Sequence, residues 1–254
     1  MYVDDVLCIH KDPDKVLNKI NQDYRLKEPP KLPSMYLCAE ISKYHVGDKD
    51  NSTHCYAMSA DSHIKKALQV VQHKMAECGV YFKSSNITVE YPFSSQSYRP
   101  ELDPTEECSE EQTEFYQSLI GILRWLCEIG RIDILTETSL LLTYFTCPRF
   151  GYLHQALYVF KYLKDHNRSK VVFDPAYVGI NDNHLPMDDR ASTKATFMHE
   201  LYPDAVEYRP KNAPKPRGRQ VQITCFVDAD HAGDKITRRS RTGILIYVNK
   251  SPII

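Results

Sequence analysis

The strongest constraint in the sequence is a set of three apolar stripes at helical spacing between residues 115 and 163. Phe115, Leu119, Ile122, Leu123 and Leu126 recur at intervals of three and four. A second apolar stretch runs from Ile134 to Tyr144, and Leu153, Ala156, Leu157, Phe160 and Leu163 make the third. Residues spaced this way share one side of an α-helix, so each stretch has one face to bury. Together they predict a small helical subdomain.

The chain before it reads as strands with two further helices. Tyr2-Val3-Asp4-Asp5-Val6-Leu7 is an apolar, acidic segment that looks like the second half of a hairpin, whose partner strand is expected to precede Met1. Asp12-Pro13-Asp14 predicts a helix start, with Val16, Leu17, Ile20 and Tyr24 along one face and an end near Lys27. Pro29, Pro30 and Pro33 break the chain, and Met35 to Ile41 resumes as a strand. Gly47 to Asn51 forms a hairpin turn into His54–Met58; Ser59 to Ser62 then caps a helix carrying Ile64, Leu68, Val71 and Met75. Residues 83–110 are rich in Ser, Pro and Glu and read as a loop or linker.

After the helical stretch, Lys170–Phe173 reads as a short strand. Residues 174–219 are polar and carry Pro175, Pro186, Pro203, Pro210, Pro214 and Pro216, which makes them the best domain boundary. New strands follow at 220–228 and 242–248. The expectation is an α+β chain in four parts: 1–60, 61–173, 174–219 and 220–254.

Composition narrows the classes. With 42% hydrophobic and 26% charged residues the chain has the make-up of a globular protein. No apolar run approaches the roughly 20 residues needed to cross a bilayer, and no signal peptide opens the sequence. An intracellular protein with no membrane partner is expected. The eight cysteines are scattered without a C-x-x-C pair and read as reduced, mostly buried thiols. A net charge of −1 does not announce a nucleic-acid binder, so any such surface must be local.

Two acidic constellations could carry chemistry. Asp4 and Asp5 are adjacent, and neighbouring carboxylates repel unless a divalent cation neutralises them. Nucleotidyl transfer uses that arrangement, with two Mg²⁺ ions about 4 Å apart held by hard carboxylate oxygens. The second is Cys225-Phe226-Val227-Asp228-Ala229-Asp230-His231-Ala232-Gly233-Asp234, followed by Arg238-Arg239-Ser240-Arg241-Thr242-Gly243. Taken alone, each acidic group is more often a solvated turn.

Their flanks change that weighing. Tyr2–Leu7 resembles the Y-V-D-D motif at the palm active site of copia-type retrotransposon reverse transcriptases. Tyr36-Leu37-Cys38-Ala39-Glu40-Ile41 looks like the family's F-L-G-I-E-I strand, part of a hairpin that grips the primer end. Tyr116–Leu126 (YQSLIGILRWL) resembles its Y-R-S-L-I-G-x-L-x-Y-L helix, and Arg131-Ile132-Asp133-Ile134 its R-P-D-I. His154-Gln155-Ala156 and Lys161-Tyr162-Leu163-Lys164 are similar to its H-x-x-A and R-Y-L-K segment. Residues 225–243 look like the opening of its RNase H, patterned S-D-A-D-W-A-G-D and R-R-S-T-S-G. The similarity covers residues 2 to about 173 and returns at 225–249.

The resemblance implies a partial palm at 1–60, a helical thumb at 61–173, a proline-rich connection, and the first hairpin of an RNase H fold at 220–254. It implies Mg²⁺ as the cofactor, with Asp4, Asp5 and Asp228 as catalytic ligands. It also implies contacts to an RNA template and RNA–DNA hybrid through Tyr2, Arg238, Arg239 and Arg241, and association with the remaining Pol segments, in a cytoplasmic particle or the nucleus. The family needs further carboxylates and a fingers subdomain, so both metal sites are expected to be incomplete in this chain. Three departures stand out: Cys38 where the family has glycine, Ile132 for proline and His231 for tryptophan. The basic residues from Arg209 to Arg219 read equally as a phosphate contact or a solvated linker. Two other classes remain open: a non-enzymatic open reading frame of a decayed element, and a binding module that retains nucleic-acid contacts.

Overall fold

A computed structural model describes residues 6–8, 11–47, 53–77, 88–177, 212 and 221–253. In chain order the elements are α1 (Pro13–Asp23), β1 (Met35–Tyr36), β2 (Ala39–Val46), β3 (Thr53–Ser59), α2 (Asp61–Glu77), α3 (Glu110–Glu128), α4 (Leu135–Leu142), α5 (Phe150–Asp165), β4 (Lys170–Phe173), β5 (Ile223–Asp230), β6 (Arg241–Val248) and β7 (Ser251–Ile253). Among the described residues these five helices and two antiparallel sheets make a mixed α+β fold. No described helix is long and apolar enough to cross a membrane.

The expected helix start at Asp12 is present: its carboxylate accepts from Lys15 N at 3.2 Å, and Pro13 takes the first helical position, where a missing N–H costs nothing. The helix ends at Asp23, short of Lys27, because Tyr24 is extended (φ −133°) and Asn21 Oδ1 accepts from Leu26 N, turning the chain away. No residue of α1 is buried.

The strand expected to run unbroken from Met35 to Ile41 is instead a tight hairpin. Leu37 and Cys38 both have positive φ, 51° and 67°, and Tyr36 pairs with Ala39 across them. Two left-handed residues in a two-residue turn match the right-handed twist of the flanking strands. The first sheet has the order β1-β2-β3-β4. β4 pairs antiparallel with β3, Tyr56 opposite Phe173, so segments on either side of the helical stretch share one sheet.

One core runs from Ala39 and Ala60 through Ile64, Leu119, Leu123, Leu126 and Leu153 to Leu163. The small residue Ala39, fully buried on β2, lets α2 lie close to that strand. α3 opens with a capping box: Ser109 Oγ accepts from Gln112 N, and Gln112 Oε1 accepts from Ser109 N at 3.0 Å. Its buried face is Phe115, Tyr116, Leu119, Ile120, Leu123, Leu126 and Cys127. Tyr116 and Ile120 thus join the stripe, while Ile122 lies at its margin. The Tyr116 hydroxyl donates to Leu141 O at 2.7 Å, which ties α3 to the end of α4.

The described part of the expected linker, from residue 88, is packed. Val89, Phe93 and Pro100 are buried, and its backbone groups are satisfied by α5: Val89 N donates to Asp165 Oδ2 and Ser94 N to Gln155 Oε1. Its Ser- and Pro-rich composition excludes a regular ladder but permits a clasp held by side chains. The thiols also depart from expectation. Cys55 and Cys127 are buried, but Cys38, Cys147 and Cys225 are exposed, since they fall in a tight turn, in a loop and on an open sheet face.

Candidate metal and nucleic-acid sites

β5 and β6 form a regular hairpin in which Asp228 lies opposite Gly243 and Asp230 opposite Arg241. Side chains alternate between faces along a strand, so Phe226, Asp228 and Asp230 share one face with Arg241, Leu245 and Tyr247. Phe226 and Tyr247 meet edge to face, 6.0 Å apart, and anchor the apolar end of that face. At its other end Asp228 is exposed. Among the described residues its Oδ1 accepts only from the adjacent Ala229 N at 2.9 Å, and Gly243 opposite it presents no side chain. The carboxylate is therefore open to an incoming ligand.

The connection between these strands is an ordered loop built around Asp234. Its Oδ1 accepts from Ile236 N at 3.0 Å and Thr237 N at 2.6 Å, its carbonyl accepts from Arg238 N, and its N–H donates to Arg239 O. Ala232 N donates to Ser240 Oγ at 2.9 Å and closes the base of the loop. The hydrogen bond from Thr237 N, with others from this loop and the nearby Arg241 charge, holds the Asp234 carboxyl below the usual carboxylate range. A Cβ at Gly233 would fall on the Asp230 carboxylate, so a side chain there would push that exposed group aside. Arg238 has a left-handed backbone, φ 57°, and Arg238 and Arg239 are exposed while Arg241 is half-buried. Lys235 N reaches Glu101 Oε1 at 3.2 Å, so the loop touches the clasp before α3.

The β6–β7 turn is docked to the end of β4. Asn249 Nδ2 donates to Pro175 O, Lys250 N to Ala176 O and Ser251 Oγ to Asp174 O. On the opposite face of this second sheet, Ile223, Val227, Ile244 and Ile253 lie between 52% and 69% exposed.

A second constellation lies where α4 and α5 meet, at the R-I-D-I segment. Arg131 is 1% exposed and forms a bidentate pair with Asp133, Nε to Oδ1 at 2.8 Å and Nη2 to Oδ2 at 2.7 Å. The Tyr162 hydroxyl donates to the same Asp133 Oδ2 at 3.1 Å. Burial opposes ionisation of Asp133, but the Arg131 hydrogen bonds and charge outweigh it and its carboxyl falls below the usual range. Arg131 Nη1 is buried and finds no hydrogen-bond partner among the described residues. The sequence offered these residues only as part of a motif; their convergence depends on α5 returning alongside residue 131.

Tyr2, Asp4 and Asp5 lie outside the described residues. Asp228 and Asp230 supply the hard oxygen donors that suit Mg²⁺. Among the described residues, however, no group of three or more His, Cys, Asp or Glu side chains gathers, so a full metal shell is not assembled there. Asp228 is brought near Asp230 and Arg241, whereas Arg238 and Arg239 extend from the loop beyond them. No protein family, curated protein or solved structure matches this chain.

Proposed function

We propose that the chain is a segment of a copia-type reverse transcriptase and RNase H that contributes template–primer contacts and does not polymerise DNA by itself. The ordered set of motifs from Tyr2 to Gly243 carries this reading. Local geometry supports the alignment of two of them. Where the resembling F-L-G-I-E-I motif has glycine, Cys38 has the left-handed backbone that glycine adopts most readily. Where A-G-D has glycine, Gly233 lies against the Asp230 carboxylate, which a side chain there would have to displace. In the intact family the activity is RNA-directed DNA synthesis with Mg²⁺, followed by degradation of the RNA strand.

Binding of a labelled RNA–DNA hybrid, followed by fluorescence anisotropy across a salt series, tests the contact half of the proposal. Expected is an affinity that falls with salt and is weakened in R238Q/R239Q, because lost phosphate contacts lower both affinity and salt slope. Absence of hybrid binding at low salt would remove that half. Incorporation of deoxynucleotides on a primed RNA template by the isolated chain would remove the other. The exposed aliphatic face of the second sheet favours one further reading, a non-enzymatic product of a decayed element that associates through that face. An insoluble product would support it, and a monodisperse, cooperatively unfolding protein would exclude it.

A further inference from the structure

We infer that His45 and His54, opposite each other on β2 and β3, form a two-histidine site for a late first-row transition metal ion such as Ni²⁺ or Cu²⁺, an assignment that does not rest on the retrotransposon reading. Residues directly opposite in an antiparallel pair point to the same face of the sheet, with Cβ atoms about 5 Å apart. His45 and His54 are paired in this way, and both are exposed. Their rings touch, with centroids 4.4 Å apart and planes at 68°. Among the described residues neither ring nitrogen is taken up by a hydrogen bond or an ion pair. Nothing in the spacing of histidines along the sequence marks these two; the register of β2 against β3 brings them together.

The separation of the rings decides which ion fits. With metal–nitrogen bonds of about 2.0 Å, two imidazoles bound at a right angle place their ring centres about 4.4 Å apart, and at the tetrahedral angle about 5.1 Å apart. The observed 4.4 Å is the right-angle value, and neighbouring positions at a right angle belong to the square-planar and tetragonal coordination of Cu²⁺ and Ni²⁺. The rings meet edge to face, so a nitrogen of each has to turn toward the common ion. That turn is about the Cβ–Cγ bond, whose axis passes close to the ring centre, so it changes the separation little. The torsion is broad, and little packing holds an exposed ring against it. Imidazole suits these ions, whereas Mg²⁺ takes oxygen ligands. No third His, Cys, Asp or Glu gathers here among the described residues, so water completes the shell and the ion exchanges readily. Lys43 shares this face, and its exposed, flexible side chain can carry its charge away from the ion.

The test is a titration of the whole chain, kept reduced with a phosphine, with Ni²⁺, read by calorimetry and by the thermal midpoint, with Mg²⁺ as the control cation. Saturable Ni²⁺ binding is expected, together with a rise in midpoint that Mg²⁺ does not produce, because an ion held across β2 and β3 favours the folded chain. H45Q and H54Q should each weaken binding about 10-fold or more, since either leaves one imidazole without a second arm held close by. H154Q, which alters an exposed histidine on α5, should leave binding unchanged. H45Q and H54Q also alter exposed side chains, so their midpoints without metal should match the unaltered chain and any loss of the Ni²⁺ response reports on binding rather than folding. Uptake of Ni²⁺ by the exposed thiols of Cys38, Cys147 and Cys225 would be the same in every one of these variants. Equal binding by H45Q and H54Q, or no saturable response to Ni²⁺, would therefore overturn the inference.

Discussion

Replacing Cys38 by glycine should stabilise this protein. Cys38 sits at φ 67° in the two-residue turn between β1 and β2, and its side chain is exposed. A left-handed backbone costs a non-glycine residue about 1–2 kcal/mol. Glycine avoids that but loses about 0.5–1 kcal/mol more conformational entropy on folding. With little packing to lose, the balance favours C38G by about 0.5–1 kcal/mol, or a rise in midpoint of about 1–4 °C for a chain of this size. Leu37 is the internal control, since it is also left-handed, at φ 51°, but packs against the core. L37G relieves the same strain and loses apolar burial of about 1.5 kcal/mol or more, so it should destabilise. C38A should lie near the starting protein, because alanine keeps the Cβ. Urea denaturation of the three variants decides the matter. If C38G is no more stable than C38A at unchanged m-value, the backbone-strain argument fails.

Two further outcomes follow from the charged groups. D133N leaves the Arg131 guanidinium, 1% exposed, without its counter-charge, and should lower stability by about 2–4 kcal/mol in urea denaturation; a loss below about 1 kcal/mol would mean that water reaches the pair. The carboxyls of Asp133 and Asp234 are both held below their ordinary range, so the unfolded chain binds protons first on acidification. Their stabilisation is complete above about pH 4 and is withdrawn as pH falls through the depressed values. Glu137 works in the opposite sense: burial, with the nearby Asp133 charge, raises its carboxyl, so its contribution is lost as pH rises through that raised value. Thermal midpoints measured from pH 6 to pH 3 should therefore fall, and D234N should flatten part of that fall. An unchanged slope in D234N would show that its loop hydrogen bonds do not distinguish the folded from the unfolded chain.

Much of the local structure was legible before any contact was known. The apolar stripes of α3, α4 and α5, the Asp12–Pro13 helix start and the β5–β6 strands all follow from short-range periodicity and capping, which depend on residues only a few positions apart. Only the tertiary structure shows that Met35–Ile41 contains a turn, because Leu37 and Cys38 are not turn-formers by type and are driven left-handed by the pairing of Met35 with Glu40 and Tyr36 with Ala39. The clasp at 88–109 was equally hidden, since its hydrogen bonds go to Gln155 and Asp165, more than sixty positions away. The same holds for the candidate sites. Asp228 and its glycine-bearing partner strand are near neighbours in sequence, so the hairpin could be foreseen. The Arg131–Asp133–Tyr162 constellation could not, because Tyr162 reaches Asp133 only when α5 folds back beside the segment that opens α4.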